Sequence, residues 1–416
     1  MILDGVRRLS SAARAFAPDT RRFLAGMFLL GLGRGAMDVH LNLYLKALGL
    51  DERVIGEVLS ATSAGVVAVS LPAALWADRL RPSRLFLFTG GGFVLGLLGL
   101  VLLPPDPMLL RALSFLVGGL FAVHWVAEGP FFMRTEGPEH RTELFGIAHA
   151  IETLAMIATA WGTGALAEAL ARRLGSETAG LRWAIAAAAA ATLFAAVPYA
   201  NIATPASRDP PKGWREYVVP RQAGLVFRLS LPTFLVGCGA GLSIPFLNLY
   251  FRDRFGLSPG PIGGLFSVAQ VLTMGGFLLG PVLARRYGHV RAAVATELLS
   301  IPFFFVLAVT DHLGAAVGAF WMRSALMNMN QPISSVFAME IVDPDQQVVL
   351  NSVKTFAWNA SWMLSAVVGG RIIERTEGYE AVMFTTMGLY LAAAAFFWSF
   401  FRGRTVGESV RAVEPR

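Results

Sequence analysis

The chain has 416 residues, of which 55% are hydrophobic and 15% charged, and its mean hydropathy is +0.57. So little polar surface excludes a soluble globular protein of this length and indicates that much of the chain faces lipid. The net charge of +7 is compatible with nucleic-acid binding, but arginines that alternate with apolar stretches are typical of membrane topology. We therefore expect a lipid bilayer and no nucleic acid as its surroundings.

Twelve apolar stretches, each long enough to cross a hydrocarbon core of about 30 Å, follow one another along the chain. The first six are predicted at 22–45, 55–77, 85–103, 108–133, 144–170 and 183–200. The second six are predicted at 222–250, 261–284, 292–310, 313–339, 348–373 and 381–401. The pattern predicts an all-α membrane protein with twelve transmembrane helices in two pseudo-symmetric six-helix bundles.

The organisation into two bundles follows from a polar interruption between the sixth and seventh stretches. That interruption, at 201–221, contains four prolines and several charges. It predicts a cytoplasmic linker between bundles at 22–200 and 222–402. The remaining residues form an N-terminal tail at 1–21 and a C-terminal tail at 403–416.

The chain also contains an internal repeat. The sequence Leu-Asn-Leu-Tyr at 41–44 returns at 247–250, and Ile-Gly at 55–56 returns at 262–263. Both repeats are separated by roughly half of the chain. Duplicated membrane halves are typical of transporters that work by rocking one half against the other.

Basic residues are concentrated at alternate joints between the apolar stretches. They are Arg21, Arg22, Arg79, Arg81, Arg84, Arg208, Lys212, Arg215, Arg221, Arg285, Arg286, Arg291, Arg402, Arg404 and Arg411. Because positive charge accumulates on the cytoplasmic side, this placement predicts that both termini are cytoplasmic. We expect an integral protein of the inner (plasma) membrane.

Two related motifs occupy equivalent joints. Segment 74–84 contains Asp78 and Arg79, and segment 281–291 contains Arg285 and Arg286 before a Gly-x-x-Arg ending. With the six-plus-six pattern, they resemble the major facilitator superfamily, whose signature is Gly-x-x-x-Asp-Arg-x-Gly-Arg-Arg/Lys. The first segment lacks both glycines and the second lacks the aspartate. The resemblance implies that these four residues act in gating, whereas the alternative is a loop that anchors lipid headgroups.

The resemblance further implies that helices one, four, seven and ten line a central cavity, flanked by helices two, five, eight and eleven. An ionisable residue in such a span costs at least about 2.5 kcal/mol, so it commonly faces a wet cavity or a partner. The substrate-binding or coupling candidates of the first half are Arg34, Asp38, His124, Trp125, Glu128, His149 and Glu152. Alternatively, Arg34 and Asp38 form a structural ion pair and Glu128 marks a helix end.

Cationic and amide side chains prevail in the second half. The candidates there are Arg323, Asn328, Asn330, Gln331, Lys354, Trp358 and Asn359. Together with Arg34, the cations Arg323 and Lys354 favour an organic anion as the solute. Glu297, on a helix that the resemblance places outside the cavity, is expected to pair with a neighbouring helix.

These observations predict a secondary active transporter that moves a small organic solute by alternating access, coupled to protons as a symporter or antiporter. An exporter of amphipathic drugs or lipids is one alternative. Another is a membrane-embedded lipid-modifying enzyme, with His124 and Glu128 or His149 and Glu152 as acid and base; a third is a transport-dead sensor. We expect a monomer. No cofactor is expected, because the sequence contains no phosphate-binding loop. No metal is expected either, because the six histidines form no recognisable ligand cluster, although scattered His/Glu pairs leave metal binding open.

Overall fold

A computed structural model describes residues 16–76, 80–205, 221–343 and 346–403. Within these ranges the chain is almost entirely helical and contains no strand. The predicted gating residues Asp78 and Arg79 lie outside the described residues.

The described part of the chain contains one long helix for each predicted stretch, so the predicted all-α class is confirmed. The first half comprises α1 Pro18–Ala47, α2 Glu52–Trp76, α3 Pro82–Leu102, α4 Pro107–Thr135, α5 Pro138–Leu174 and α6 Glu177–Ala200. The second half comprises α7 Ala223–Phe255, α8 Pro259–Tyr287, α9 His289–Val309, α10 Leu313–Ile341, α11 Gln347–Thr376 and α12 Glu380–Phe401. Single 3₁₀ turns, at Leu193–Ala195 in α6 and at Ile244–Phe246 in α7, interrupt two of them.

The helix ends follow the local sequence. Asp106 caps α4 by accepting a hydrogen bond of 2.8 Å from the backbone N–H of Leu109, which satisfies a donor that the helix leaves free. Gly175 and Gly256 follow α5 and α7 with φ angles of 68° and 65°. Glycine adopts this left-handed conformation without steric cost, so both positions end a helix sharply.

Nine helices in the described ranges are long and apolar enough to cross a membrane. The three that fall outside this set are α1, α10 and α11. They carry the ionisable candidates Arg34, Asp38, Arg323 and Lys354.

The internal repeat appears in the structure as a repeated hydrogen bond. The hydroxyl of Tyr44 in α1 donates to the carbonyl of Val101 in α3 over 2.9 Å. The hydroxyl of Tyr250 in α7 donates to the carbonyl of Leu307 in α9 over 2.7 Å. All four residues are buried, so the repeated tyrosine anchors the equivalent pair of helices in each half.

Close helix packing is repeated as well. A Cβ atom on Gly35 of α1 would lie 3.1 Å from Cβ of Thr159 in α5, and one on Gly241 of α7 would lie 3.0 Å from Cβ of Ser365 in α11. Gly35 and Gly241 are separated by the same number of residues along the chain as Thr159 and Ser365. Small residues allow helix backbones to approach closely in a membrane, which explains why both halves keep glycine there.

The described helices form two compact units. The first consists of Met1–Leu50, Ala61–Lys212 and Ser258–Ser267, and the second of Asp51–Ser60, Gly213–Leu257 and Val268–Arg416. The beginning of α8 thus belongs to the first unit, and the beginning of α2 belongs to the second.

The beginning of α8 and the beginning of α2 are held in their units by equivalent hydrogen bonds. In the first unit, Ser267 of α8 donates to the carbonyl of Ile157 in α5 over 3.0 Å. In the second unit, Ser60 of α2 donates to the carbonyl of Met363 in α11 over 2.5 Å. These two hydrogen bonds are therefore a further consequence of the internal repeat.

Candidate functional site

An ion pair occupies the middle of α1. Nε of Arg34 donates to both carboxylate oxygens of Asp38 over 2.9 and 2.8 Å, and both side chains are 32% exposed. The Arg34 guanidinium also lies 4.1 Å from the ring centroid of Phe121 in α4. The one-turn spacing that predicts an ion pair thus produces one, and an aromatic ring covers its cationic member.

Two further carboxylates lie near this pair. Glu152 of α5 interacts electrostatically with Arg34, and Glu128 of α4 interacts with Glu152. Both glutamates are partly exposed, and within the described ranges neither carboxylate has a hydrogen bond or an ion pair. We call Arg34, Asp38, Glu128 and Glu152 the charge cluster; it contains three acids and one base.

Aromatic rings border the charge cluster. Trp125 of α4 has a 55% exposed side chain, and its ring centroid lies 6.4 Å from that of Phe121. The negative face of an aromatic ring attracts cations. The cluster and these rings together provide a surface suited to a positively charged organic group.

His124 is buried among aromatic residues. Its Nδ1 is 3.0 Å from Oγ1 of Thr89, and its Nε2 is 3.3 Å from the hydroxyl of Tyr199. Its ring lies 5.8 Å from that of Phe23 and 5.0 Å from that of Phe86. Both ring nitrogens are therefore occupied by polar neighbours that hold α3, α4 and α6 together.

His149 is exposed on α5, and its backbone carbonyl accepts a hydrogen bond of 2.9 Å from Thr153. It lies one turn before Glu152 along the same helix. The members of each predicted acid and base pair, His149 with Glu152 and His124 with Glu128, lie one turn apart on one helix. Tyr199, whose hydroxyl lies beside Nε2 of His124, also interacts electrostatically with Glu128.

Arg323 of α10 is enclosed by the second unit. Its side chain is 6% exposed, and its guanidinium lies 4.8 Å from the ring centroid of Phe304. It also interacts electrostatically with Tyr390 of α12. A solute could reach it only after these rings moved.

The amide candidates of α10 point in different directions. Nδ2 of Asn328 lies 3.3 Å from Oγ1 of Thr273 in α8, and Nδ2 of Asn330 lies 3.5 Å from Oε2 of Glu297 in α9. Gln331 is exposed. The expected partner of Glu297 on a neighbouring helix is therefore Asn330.

The candidates of α11 form a second polar and aromatic stripe. Lys354 is partly buried, and Trp358 is 38% exposed with its ring 5.9 Å from that of Trp362. Asn359 donates to the carbonyl of Thr355 over 2.9 Å. One cation and two indoles thus lie on successive turns of one helix.

The gating candidates of the second half, Arg285 and Arg286, are exposed at the end of α8. The Arg286 guanidinium lies 5.4 Å from the ring centroid of the adjacent Tyr287. No group of three or more His, Cys, Asp or Glu side chains in the described ranges is arranged to hold a metal ion.

Sequence reasoning missed Phe121 and Tyr390. Phe121 precedes Trp125 by one turn of α4 and so shares its face, a signal that was available in the sequence. Tyr390 lies on α12, which the family resemblance places outside the cavity. Its contact with Arg323 depends on helix packing and left no sequence signal.

Ionisable and aromatic side chains in long apolar helices are typical of functional sites in membrane proteins. The sequence model of the Major Facilitator Superfamily matches residues 23–366 and, in a second match, 229–415. The chain belongs to the major facilitator superfamily. This family and the similar solved structures are transporters.

Solved structures share the fold at low sequence identity. A bacterial homologue of the human lysosomal transporter Spinster, in an inward-facing and unoccupied conformation, is 16% identical with a TM-score of 0.74, covering 92% of this chain and 96% of that one. The nucleoside transporter NupG is 14% identical with a TM-score of 0.74, covering 93% and 100%. A bacterial homologue of the iron transporter ferroportin, inward-facing, is 16% identical with a TM-score of 0.73, covering 93% and 99%.

A relative in Danio rerio, the major facilitator superfamily domain-containing protein 6-like, is 39% identical over 109 residues. The match covers 26% of this chain and 19% of the length of the zebrafish protein. It supports membership of the family at the level of sequence.

Proposed function

We propose that the protein is a secondary active transporter that moves a small organic solute by alternating access, with protons as the coupling ion. The observation that carries the proposal is the charge cluster of α1, α4 and α5. Three carboxylates and one guanidinium in membrane-spanning helices are costly to maintain, and residues of this kind normally serve a transport pathway. The named relatives include transporters of quite different solutes, so the solute must be inferred from this chain's own residues.

The charges of the first unit favour a solute with a cationic group. Arg34 is neutralised by Asp38 and covered by Phe121, which leaves it a poor anchor for an anion. Glu128 and Glu152 have no cationic partner in direct contact among the described residues, and exposed Trp125 lies on the same helix as Glu128. An ammonium group would neutralise the glutamates and contact the aromatic face.

Protons fit the same cluster. Glu128 and Glu152 repel one another when both are ionised, so protonation of either removes the repulsion. A cationic solute and protons would then compete for the same carboxylates. Exchange of one for the other is the simplest form of coupling that these residues support.

Alternating access requires contacts that form in one state and break in another. The paired contacts of α5 with α8 and of α2 with α11 are suitable, because each consists of one serine hydrogen bond and close glycine packing. We further propose that the chain lies in the inner (plasma) membrane as a monomer with both termini in the cytoplasm, as the distribution of arginines favours.

An apolar crevice supports a second candidate, transport of an amphipathic compound. The crevice, of about 520 Å³, lies in the first unit between α1 and α5. Its lining residues are Arg21, Leu24, Ala25, Phe28, Leu29, Ile147 and Ile151. A hydrocarbon chain would be accommodated there with an acidic headgroup at Arg21.

A thermal-shift screen of the detergent-purified protein with amines, organic anions, zwitterions and acidic amphipaths, at two pH values, distinguishes these candidates. The charge cluster predicts stabilisation by amines that weakens at lower pH and is lost in Glu152→Gln. The matched control is Glu340→Gln, which removes an exposed carboxylate from α10. Stabilisation by acidic amphipaths alone would favour the crevice.

Flux of each stabilising solute is then measured in proteoliposomes with and without a pH gradient. Uphill accumulation driven by the gradient supports the proposal. Binding without flux would contradict transport and favour a sensor.

A further inference from the structure

Among the carboxylates of the described residues that the proposed transport site does not use, Glu297 is the most deeply buried. Its side chain is 4% exposed in α9. Oε2 is 3.5 Å from Nδ2 of Asn330, at the outer limit of a hydrogen bond, and Oε1 has no protein partner among the described residues. The carboxyl group thus lacks most of the donors that an ionised form requires.

Two further polar groups in the same unit also lack complete partners. Nε of Arg323 and the hydroxyl of Tyr390 are both buried without a hydrogen bond of normal geometry to a described residue. Tyr390 interacts electrostatically with both Arg323 and Glu297, and Arg323 precedes Asn330 by two turns on the same face of α10. These are the charged and titratable groups that face Glu297 from α10 and α12, the two helices packed on α9.

No ion pair joins Glu297 to Arg323 within the described part of the chain, although both are buried in the same unit. A buried polar group without a partner costs about 1–3 kcal/mol, and charged groups cost more. An incompletely satisfied network is therefore less stable than apolar side chains of similar size. Ionisable residues that persist in a membrane interior at this cost commonly bind an ion or a proton.

The first half contains a buried polar group whose members have partners, and one of them occupies the position equivalent to Asn330. There α3, α4 and α6 contribute Thr89, His124 and Tyr199, and both nitrogens of His124 have a polar neighbour. In the second half α9, α10 and α12 contribute Glu297, Asn330 and Tyr390. His124 and Asn330 are separated by the same number of residues along the chain as the two copies of the tetrapeptide Leu-Asn-Leu-Tyr. Glu297 thus faces Asn330, whose counterpart His124 has a polar neighbour at both ring nitrogens.

We propose that Glu297, faced by Asn330, Tyr390 and Arg323, is a proton-binding site in the second unit that is separate from the charge cluster. A proton from water binds the free carboxylate oxygen, and the resulting carboxylic acid requires fewer hydrogen-bond donors than the ionised carboxylate does. When the proton leaves, the hydrogen-bond donors of Tyr390, Asn330 and Arg323 move toward the carboxylate. Two of these donors lie on α10, so loss of the proton changes how α10 packs on α9.

Pro332 makes such a change feasible. It lies inside α10, two residues after Asn330, where its ring removes one backbone hydrogen bond and weakens the helix locally. Asn330 is further held by Ser334, which donates to its Oδ1 over 2.6 Å. The coupling of this site to solute movement rests on the proposed transport function, whereas proton binding itself does not.

Infrared difference spectroscopy of the lipid-reconstituted protein, between acidic and alkaline buffer, tests proton binding directly. The wild-type protein should show the carbonyl band of a buried protonated carboxylic acid that disappears at alkaline pH. Glu297→Gln should remove this component, and Glu340→Gln should retain it. Identical difference spectra for wild type and Glu297→Gln would overturn the proposal.

Tyr390→Phe provides a second variant that preserves the carboxyl group. It should move the pH at which the Glu297 band disappears, because one facing hydroxyl is lost. An unchanged midpoint would exclude the role assigned to Tyr390. This variant also maintains the test if Glu297→Gln fails to fold.

Flux separates this proposal from the proposed function. With a solute from the thermal-shift screen, Glu297→Gln should retain exchange at equal pH and lower the accumulation driven by a pH gradient without abolishing it, because the charge cluster still exchanges its own proton. Accumulation equal to wild type would show that Glu297 carries none of the coupled protons. If the wild-type protein transports none of the solutes, the transport function fails while the infrared result stands.

Discussion

The ion pair of α1 is the most specific residue-level feature of the charge cluster. Asp38→Asn retains the size of the side chain but removes its charge, so the Arg34 guanidinium loses its ion-pair partner and keeps the contact with Phe121 and the electrostatic interaction with Glu152. We expect the protein to fold and its pH-dependent solute flux to fall. The measurement is flux in proteoliposomes as a function of pH. Flux with the wild-type pH profile would remove Asp38 from the mechanism.

Asp19 lies at the beginning of α1, before the predicted membrane span at 22–45. Its side chain connects α1 to the residues that follow α6. Its Oδ2 accepts from the backbone N–H groups of Ala203 and Thr204 over 2.9 and 2.7 Å. Burial opposes its charge, but hydrogen bonds, chiefly those from Thr204 and Arg22, lower the pKa of Asp19 below its ordinary value of 3.8. The ionised form is therefore the stabilising one.

Asp19→Asn should lower the free energy of unfolding by about 1–3 kcal/mol at neutral pH, because hydrogen bonds to a charged acceptor are lost. Since the pKa is lower in the folded state, the contribution of Asp19 is complete above about pH 4 and is lost as the pH falls further. Melting temperatures of both proteins in detergent across pH measure this. Thr204→Val, which removes one donor and keeps the charge, should show a smaller loss. A difference that persists unchanged at the lowest pH would contradict the interpretation.

Helix packing explains the repeated glycines of α2 and α8. A Cβ atom on Gly263 would lie 2.0 Å from the carbonyl oxygen of Ala160 in α5, and one on Gly56 would lie 2.4 Å from that of Ala366 in α11. Backbone oxygens do not move aside as flexible side chains do. Alanine at either position would therefore separate the helices.

Gly263→Ala should destabilise the protein by about 1–3 kcal/mol, the usual cost of overpacking. The matched control is Gly264→Ala. Its Cβ would lie 4.0 Å from the nearest heavy atom, Cδ1 of Trp161, so helix propensity should stabilise it by about 0.5–1 kcal/mol. Melting temperatures of the two variants should move in opposite directions, and equal losses would show that the close contact is not the cause.

The twofold character of the whole molecule predicts related effects in the two halves. Tyr44→Phe and Tyr250→Phe each remove the hydroxyl that anchors the end of one helix to another. Each loss should cost about 0.5–1.5 kcal/mol. Tyr44 should cost more, because its hydroxyl also accepts from Nε of Arg182 over 3.1 Å.

The double variant tests independence of the two sites. Because the two tyrosines share no partner, the losses in Tyr44→Phe/Tyr250→Phe should add within about 0.5 kcal/mol. A large departure from additivity in the melting temperatures would indicate that the two anchors are coupled.

Local sequence was sufficient for the helices and their order. Runs of about 20 apolar residues predict membrane helices because backbone groups in lipid must be satisfied within the segment. The ion pair of Arg34 and Asp38 was equally predictable, since the two side chains lie one turn apart on the same helix. The duplicated tetrapeptide predicted two related halves, which appear as the hydrogen bonds of Tyr44 and Tyr250.

Contacts between helices were not accessible in this way. Arg323 and His124 are polar residues in apolar spans, as are Asp38 and Glu152, and nothing local distinguishes them. Packing places His124 among aromatic rings and encloses Arg323 with Phe304 and Tyr390. The reason is physical: helix formation depends on neighbours along the chain, whereas exposure of a side chain depends on the rotation and register of helices that are distant in sequence.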